Sequence, residues 1–240
     1  MTEQTALSSG MAARARPEII AMKGYVSARS LVESGGSTVF LDANECPYEP
    51  FVGASGLARY PMQQPPELLA VVCDWLDLSS RNVSIMRGAD EAIDSLMRAF
   101  CVPAVDNIIV CPPTFAMYRQ SAILQGVEVR EAPLAEGFAL DTDGVIAAVD
   151  DNTKLVFVCS PNNPTANLMD RQAVERLCLS LAGRALVVVD ETYIEYAGVD
   201  SMAEALERFE NLVVLRTLSK SHAAAGVRCG VAVARADVTE

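Results

Sequence analysis

Lys220 is the residue of this chain whose type and position most directly allow covalent chemistry. It lies in the run Thr-Leu-Ser-Lys-Ser, shortly after an apolar segment that ends at Leu215. A lysine amine can form a Schiff base with an aldehyde when burial or a neighbouring cation favours the neutral amine, and Arg216 and Arg228 are close in sequence. A lysine in a loop is more often a solvated surface charge, so Lys220 by itself leaves both interpretations open.

A carboxylate and a phenol follow another apolar segment. Asp190 ends the run Ala-Leu-Val-Val-Val-Asp, where the chain leaves the predicted core, and Tyr193 comes three residues later. A carboxylate at such a point needs a partner. In an enzyme that uses pyridoxal phosphate, this partner is the ring nitrogen. The negative charge keeps that nitrogen protonated, so that the ring withdraws electrons from the reacting carbon. A helix cap or a metal ligand is the alternative role for Asp190.

Donors for a ring hydroxyl and for a phosphate are also present. Asn163, in the run Pro-Asn-Asn-Pro, and Tyr193 can both donate to one ring oxygen, although the same run is also typical of a rigid turn. The run Gly-Ala-Asp-Glu at 88–91 opens a predicted helix, whose free N–H groups suit a phosphate; an ordinary acidic first turn is the alternative. Ser219 and Arg228 would add donors. Neither a P-loop pattern nor GxGxxG after a strand occurs, so no nucleotide site is predicted.

Composition disfavours several classes of partner. The 240 residues include 31 acidic and 19 basic side chains, a net charge of -12, which argues against nucleic acid and against an anionic membrane surface. The seven cysteines are scattered without CxxC spacing, and His222 is the only histidine, so we predict reduced thiols and no metal site. No targeting segment and no apolar run of membrane-spanning length is visible. We therefore expect a cytoplasmic protein.

Apolar segments of strand length alternate along the chain with segments of helical periodicity. Strands are predicted at 108–110, 127–130, 155–158, 185–189 and 212–215. Helices are predicted at 67–76, 88–100 and 114–124, and from 170 to a stop at Gly183. This alternation indicates an α/β fold with three α/β/α layers around a mostly parallel sheet. Ligands of such sheets bind beyond the carboxyl ends of the strands, where Asn163, Asp190 and Lys220 are expected to converge.

Six segments together resemble the histidinol-phosphate aminotransferase family, whose enzymes use pyridoxal 5'-phosphate and have the aspartate-aminotransferase fold. In chain order they are RYPMQQP (59–65), RGADEAI (87–93), CPPTFAMY (111–118), VCSPNNPT (158–165), VVVDETYIEYA (187–197) and LRTLSKSHAAAGVRCG (215–230). LDANECPYEP (41–50) is similar to the N-terminal motif of the family. The resemblance extends from about residue 16 to the end of the chain.

The resemblance implies a role for each motif residue at a pyridoxal 5'-phosphate site. Lys220 resembles the catalytic lysine that binds the cofactor and moves the α-proton of the substrate. Asp190 resembles the partner of the ring nitrogen. Tyr193 and Asn163 resemble donors to the ring hydroxyl, and Phe115 resembles the residue that stacks on the ring.

The family also holds the cofactor phosphate and completes its active site with an N-terminal arm. The phosphate-binding set corresponds here to the backbone of Ala89 and Asp90 and the side chains of Ser219 and Arg228. Tyr60 resembles a residue that reaches the cofactor phosphate of the partner subunit, which implies a homodimer with shared active sites. Tyr25 resembles a tyrosine of the substrate pocket, to which Asn163 also contributes.

The implied reaction is reversible transamination between a small-molecule amino donor and a keto acceptor, namely histidinol phosphate and 2-oxoglutarate in histidine biosynthesis. An aromatic amino acid aminotransferase, a phospho-amino-acid decarboxylase and a catalytically silent fragment are the open alternatives. Residues 1–66 are expected to form an irregular N-terminal arm, and residues 67–240 the cofactor-binding large domain. Family members continue with a small C-terminal domain, which we expect to be missing here.

One position departs from the family pattern in a way that has a physical consequence. Where the family has Asn-Pro-Thr-Gly, this chain has Ala166 in place of the glycine. If the backbone at this position requires a positive φ, the alanine side chain is strained there.

Overall fold

Seven strands and seven α-helices form the part of the protein that the computed structural model describes, residues 10–22, 43–46, 48, 52–53 and 57–239. The strands are β1 (Val83–Met86), β2 (Asn107–Val110), β3 (Glu128–Glu131), β4 (Thr153–Cys159), β5 (Leu186–Asp190), β6 (Leu212–Thr217) and β7 (Gly230–Val233). The α-helices are α1 (Pro17–Ala21), α2 (Pro66–Leu76), α3 (Ala89–Phe100), α4 (Met117–Leu124), α5 (Thr142–Ala148), α6 (Arg171–Ser180) and α7 (Ala236–Thr239). Short 3-10 helices occupy Gly10–Arg14, Ser80–Asn82, Glu136–Phe138, Ile194–Tyr196, Met202–Arg208 and Ala225–Val227. No helix in these described ranges combines the length and the apolar composition that crossing a bilayer requires.

The strands pair in one sheet, in the order β1-β7-β6-β5-β4-β2-β3. The five strands from β6 to β3 are parallel to their neighbours, whereas β7 is antiparallel to both β6 and β1. At the centre, Val188 pairs with Phe157 on one side and with Val213 on the other. Every residue of β5 is buried. Apolar runs of this kind, without polar alternation, are typical of strands that are covered on both faces.

Helices cover the sheet because their apolar residues recur at helical spacing. Ile93 and Met97, one turn apart on α3, belong to the same buried cluster as Phe157 and Val188 of the central strands. Helix α6 has a buried apolar side and packs against β5. The predicted α/β fold, a mostly parallel sheet with flanking helices, is thereby confirmed.

The sequence prediction was wrong about the start of one helix. Helix α4 begins at Met117 and not at residue 114. The preceding residues are tied to another loop: the hydroxyl of Thr114 donates to Oδ1 of Asn162 at 3.1 Å, and Nδ2 of Asn162 donates to the carbonyl of Pro113 at 2.8 Å. These bonds hold the chain in an irregular connection before the helix begins.

Two strands at one end of the sheet were not predicted. β1 and β7 are short and antiparallel to each other. Val83, in the first strand of the sheet along the chain, pairs with Val233, in the last strand. Neither segment has a local pattern that indicates this pairing. The reason is that the energy of a strand pair comes from cross-strand neighbours, which lie far apart in sequence here.

The chain forms two compact units. One consists of Met1–Ala21 with Leu78–Glu240 and contains the whole sheet, and the other is Met22–Asp77. In the second unit, α2 begins with Pro66, a position where the missing N–H has no cost. There the carboxylate of Glu45 accepts from the backbone N–H of Tyr60 at 2.7 Å and pairs with Arg59 at 3.2 Å. The expected division into an arm and a large domain at residue 66 stays a prediction.

Candidate active site

A cavity of about 180 Å³ lies where three neighbouring parallel strands end. Its wall includes the last residues of β4, β5 and β6, which are Cys159, Asp190 and Thr217. Nine residues predicted from the sequence also line it: Ala89, Asp90, Phe115, Asn163, Asp190, Tyr193, Ser219, Lys220 and Arg228. Parallel pairing brings the carboxyl ends of these strands to one edge, and residues from distant motifs meet there for that reason.

Asp190 is the buried acid of this cavity, with 3% of its surface exposed. Its Oδ1 accepts from the backbone N–H of Thr192 at 3.1 Å and from the Thr192 hydroxyl at 2.6 Å. Its Oδ2 accepts from the hydroxyl of Tyr118 at 2.6 Å. Burial raises the pKa of Asp190, and these donors act against the rise. Among the residues that the structure describes, no basic side chain pairs with this carboxylate, so it suits a cationic ligand.

Three further polar side chains adjoin one another along the cavity wall. Nζ of Lys220 lies 5.9 Å from the centroid of the Tyr193 ring. Nδ2 of Asn163 donates to the hydroxyl of Tyr193 at 3.5 Å. Burial raises the pKa of Tyr193, with the nearby Cys159 and Asp190 adding to the rise, so the phenol is a donor at neutral pH. An amine, a phenol and an amide therefore face one space, as recognition of an aldehyde beside a ring hydroxyl requires.

The loop that follows β6 presents Lys220. The backbone N–H of Leu218 donates to the carbonyl of Cys229 at 3.1 Å, and the N–H of Ala223 donates to the carbonyl of Lys220 at 3.0 Å. These bonds fold the chain back from the end of β6 to the start of β7. Lys220 and Arg228, at the two sides of this loop, consequently reach the same cavity.

The N-terminus of α3 and Arg228 place several hydrogen-bond donors on one part of the wall. In α3 the N-cap residue Gly88 has no side chain to satisfy the first amides. Nη1 of Arg228 donates to Oγ of Ser219 at 3.5 Å and to the carbonyl of Ala225 at 3.0 Å, and Nη2 lies 3.9 Å from the carboxylate of Asp90. Helix amides, a hydroxyl and a guanidinium are the donors that commonly bind phosphate in proteins.

Two glycines allow β7 and α3 to approach each other at this point. Gly88 has a φ of 91°, which residues with side chains rarely adopt. A methyl group on Gly230 would overlap the carbonyl carbon of Gly88 and lie 2.6 Å from the nitrogen of Ala89. The position of the α3 N-terminus beside Arg228 therefore depends on the absence of a side chain at Gly230.

Sequence reasoning missed several residues of the cavity and its support. Thr192 lines the cavity and donates twice to Asp190, and Tyr118 donates to the same carboxylate from α4. Cys159 also lines it, and burial raises the pKa of its thiol to about 12, so the thiol is neutral. Thr192 and Tyr118 both lie within the motif segments, and their proximity to Asp190 and Phe115 in those segments is the signal that was available.

Two predicted site residues are not among the described residues that line the cavity. Tyr60 belongs to the compact unit Met22–Asp77, and its side chain is 69% exposed. Tyr25 lies outside the described residues. The roles that the resemblance implies for these two tyrosines stay predictions.

The backbone at Ala166 has the positive φ at which an alanine side chain is strained. Its φ is 61°, and its N–H donates to the carbonyl of Asn162 at 2.8 Å. The bond closes the turn after Asn163, so the turn requires the left-handed conformation and the alanine is strained in it.

Comparison with known proteins identifies the family. The sequence model described as aminotransferase class I and II matches residues 42–240. A histidinol-phosphate aminotransferase of Sodalis glossinidius is 41% identical over 94% of this chain and 62% of its own length. One from Pectobacterium atrosepticum is 43% identical over 94% of this chain and 63% of its own length. The resemblance inferred from the motifs is thus confirmed, and the chain spans less than two thirds of these relatives.

Solved structures agree on the fold. A crystal structure of histidinol-phosphate aminotransferase from Sinorhizobium meliloti in complex with pyridoxal-5'-phosphate has a TM-score of 0.67 and 24% sequence identity. The match covers 72% of this chain and 48% of that one. Taken together with the family match over residues 42–240, the motifs and the sheet lead to one conclusion: this chain belongs to the class I and II aminotransferase family.

Proposed function

We propose that this protein catalyses pyridoxal-phosphate-dependent transamination, with histidinol phosphate as amino donor and 2-oxoglutarate as acceptor. The observation that carries the proposal is the convergence of Lys220, Asp190 and the donors around Arg228 on one cavity. An exposed lysine amine by itself is common on protein surfaces. A lysine amine that shares a cavity with a buried carboxylate lacking a basic partner among the described residues, and with a set of donors for an anion, is typical of a functional site. The relatives that carry the name histidinol-phosphate aminotransferase support the choice of substrate.

Pyridoxal 5'-phosphate fits the donor set of the cavity. Its phosphate matches the first amides of α3, Ser219 and Arg228; its ring nitrogen matches Asp190; and its ring hydroxyl matches Asn163 and Tyr193. When bound, the cofactor supplies a cationic ring that withdraws electrons from the α-carbon of the amino donor. The residues of this chain then have to orient the ring, keep it protonated and move one proton.

Each of these tasks has a candidate side chain. The Asp190 carboxylate, shielded from water, holds a proton on the ring nitrogen through its negative charge. Tyr193 and Asn163 orient the ring through its hydroxyl, and Phe115, which is partly buried against the apolar core, provides an aromatic surface beside it. The amine of Lys220 would take the proton from the α-carbon of the amino donor as a general base and deliver it to carbon C4′ of the cofactor as a general acid.

We also propose a cytoplasmic homodimer whose active sites are shared between subunits. Tyr60, whose exposed fraction is 69%, supports the dimer because the family resemblance implies that this tyrosine reaches the cofactor phosphate of the partner subunit. The free state of all seven cysteines supports a reducing compartment. In this proposal, residues 1–66 form the arm that carries Tyr25 and Tyr60, and residues 67–240 form the cofactor-binding large domain.

Covalent labelling tests the cofactor assignment cleanly, because Lys23, Lys154 and Lys220 are the only lysines of the chain. The purified protein is incubated with pyridoxal 5'-phosphate and reduced with borohydride, and its peptides are analysed by mass spectrometry. We expect one phosphopyridoxyl group on the peptide that contains Lys220 and none in the Lys220→Ala variant. The Lys154→Ala variant, which changes a lysine outside the cavity paired with Asp106, is the matched control and should keep the label. A label on Lys154 or Lys23 alone would contradict the proposal.

Substrate choice requires a separate measurement. Histidinol phosphate, glutamate and phenylalanine are each mixed with the cofactor-loaded protein, and the loss of cofactor absorbance is followed in time. We expect kcat/KM for histidinol phosphate to exceed that for phenylalanine by about 100-fold or more, because the relatives are named for a phosphorylated substrate, and an active site with polar groups for a substrate phosphate discriminates strongly against a substrate without one. Equal or reversed preference would assign the protein to the aromatic aminotransferases. No reaction with any of them would leave a binding protein without turnover.

A further inference from the structure

We propose that Tyr118 is a positioning residue for Asp190: its buried hydroxyl holds one carboxylate oxygen, so that the carboxylate stays charged and directed at the cofactor ring. The inference deepens the proposed function and rests on it. Tyr118 does not line the cavity, so it would act only through Asp190.

Burial and ring contacts hold the Tyr118 side chain, and with it the hydroxyl, in one position. The side chain is fully buried, and its ring stacks on Phe157 with centroids 4.7 Å apart and an angle of 13° between the planes. Phe115 meets the same ring edge-on at 5.6 Å. The hydroxyl is thereby fixed 2.6 Å from Oδ2 of Asp190. A bond this short is typical of a hydroxyl that donates to a carboxylate.

The direction of this hydrogen bond is also determined. Burial raises the pKa of Tyr118 well above its ordinary value, and the charge of Asp190 raises it further. The phenol therefore keeps its proton at neutral pH and acts as the donor. Replacement by phenylalanine removes this proton donor and leaves the two ring contacts in place.

Asp190 depends on neutral donors, because no basic side chain among the described residues forms an ion pair with it, although Lys220 and Arg228 line the same cavity. The other ionisable groups near it are Tyr118 from α4, Cys159 from the end of β4, Asp90 from the first turn of α3, and Tyr193 beyond β5. Three of these are neutral acids, and Asp90 has the same charge as Asp190. The two bonds from Thr192 satisfy Oδ1, and within the described part of the chain the hydrogen bond to Oδ2 comes from Tyr118.

A double-mutant cycle tests whether Tyr118 acts through Asp190. The dissociation constant of pyridoxal 5'-phosphate is measured for the wild-type protein, Tyr118→Phe, Asp190→Asn and the double variant. We expect Tyr118→Phe to weaken binding about tenfold when Asp190 is present, because a hydrogen bond to a charged group is lost. In the Asp190→Asn background the same substitution should change binding by less than about twofold.

A spectroscopic measurement complements the cycle. The pH at which the bound cofactor changes its absorbance should shift in Tyr118→Phe, since Asp190 then stabilises a ring proton less well. Should Tyr118→Phe fail to fold in thermal melts, Thr192→Val is the second variant, because it deletes a 2.6 Å donor to the same carboxylate from another element. Like Tyr118→Phe, Thr192→Val should weaken the binding of pyridoxal 5'-phosphate when Asp190 is present and should leave it unchanged in the Asp190→Asn background.

The outcomes separate this inference from the proposed function. Equal weakening by Tyr118→Phe in both backgrounds would mean that the hydroxyl has a general structural role, and the inference would be overturned. Unchanged affinity and unchanged spectra in Tyr118→Phe would overturn it as well, while the wild-type protein still binds the cofactor at Lys220. If the wild-type protein does not bind pyridoxal 5'-phosphate at all, the proposed function fails and the inference fails with it.

Discussion

At the scale of single residues, Asp190 shows how a candidate site opposes stability. Its carboxylate is buried, its pKa is raised by that burial, and the three hydrogen bonds from Thr192 and Tyr118 only partly offset the loss of water. A buried charge without a counter-ion costs free energy of folding. In the proposed function, the cationic ring of the cofactor supplies the missing charge.

The variant Asp190→Asn should therefore be more stable than the wild type when the cofactor is absent. We expect the free energy of unfolding at neutral pH to rise by about 1 kcal/mol, because a neutral amide of the same shape replaces a desolvated charge. Thermal melts of the cofactor-free proteins measure the difference. With excess pyridoxal 5'-phosphate the order should reverse, since the ligand stabilises the form that binds it more tightly. A less stable Asp190→Asn variant in the absence of cofactor would contradict this account of Asp190.

The same residue predicts a dependence on pH. Because the folded pKa of Asp190 is raised, the folded state retains a proton at pH values where an unfolded Asp, with a pKa of about 3.9, has lost it. Stability from this group is present below about pH 4 and is lost as the pH rises through the folded pKa. The advantage of Asp190→Asn over the wild type should consequently grow as the pH rises from about 4 towards the raised folded pKa, and should stay constant above that pKa. Melts across this range would show a constant difference if Asp190 were not responsible.

At the scale of secondary-structure elements, turns and close approaches decide where the functional groups lie. The α3 N-terminus, the proposed phosphate site, can lie beside Arg228 only because β7 passes against it at Gly230. The turn after Asn163 is closed by the hydrogen bond of Ala166, in a conformation that suits glycine. The close approach of β7 to α3 requires that Gly230 has no side chain. The turn after Asn163 keeps the side chain of Ala166 in a strained backbone conformation.

Gly230→Ala should destabilise the protein and weaken the binding of phosphate at the proposed site beside α3. The new methyl group would overlap backbone atoms of Gly88 and Ala89, which cannot move without displacing the helix. We expect a loss of about 3 kcal/mol in the free energy of unfolding, together with weaker competition by inorganic phosphate for the cofactor site. Gly226→Ala is the matched control, because a methyl group there meets no atom within 4 Å. Equal stability of the two variants in denaturant titrations would refute the role of Gly230.

Ala166→Gly should have the opposite effect and stabilise the protein by about 1 kcal/mol. Ala166 is exposed and has a φ of 61°, so glycine relieves backbone strain without removing a buried contact. The control is Ala147→Gly, the same chemical change at an exposed position inside helix α5. This control should lose about 1 kcal/mol, because glycine is a poor helix former. Denaturant midpoints that move in the same direction for both variants would disprove the strain at Ala166.

At the scale of the whole molecule, burial in the sheet decreases from the central strands to the edge strand β3, and the cavity lies at the end of the central strands. Central strands β4, β5 and β6 are buried along nearly their whole length, whereas β3 at the edge has the pattern exposed, half-buried, half-buried, exposed. The cavity wall begins where the central strands end. A rigid centre with polar loops at one edge is the arrangement on which enzymes of many α/β folds place their ligands.

Hydrogen exchange should reveal this gradient of local stability. Amides of β5 should exchange only when the whole unit unfolds, and those of β3 should exchange faster by about tenfold or more through local opening. Mass spectrometry of peptides from the exchanging protein measures both segments in one experiment, with the denatured protein as the control for intrinsic rates. Equal protection of β3 and β5 would contradict the assignment of β5 to the centre of the sheet.

The amino-acid sequence by itself determined the central strands, most of the helices and nine residues of the cavity. It did so because apolar periodicity is a local property and because Asn163, Asp190 and Lys220 follow directly after strands whose parallel pairing can be inferred. Helix α4 was placed three residues too early, since the contacts of Thr114 and Asn162 that delay it are not local.

Only the tertiary structure decided which groups support the site. The bond from Tyr118 to Asp190 joins residues that are 72 positions apart, and the close approach of Gly230 to Gly88 brings β7 against the start of α3, where the proposed phosphate site lies. The pairing of β1 with β7 is of the same kind. Such interactions depend on distances in space, and they contribute free energy only after the intervening chain has folded. Composition and periodicity therefore do not predict them.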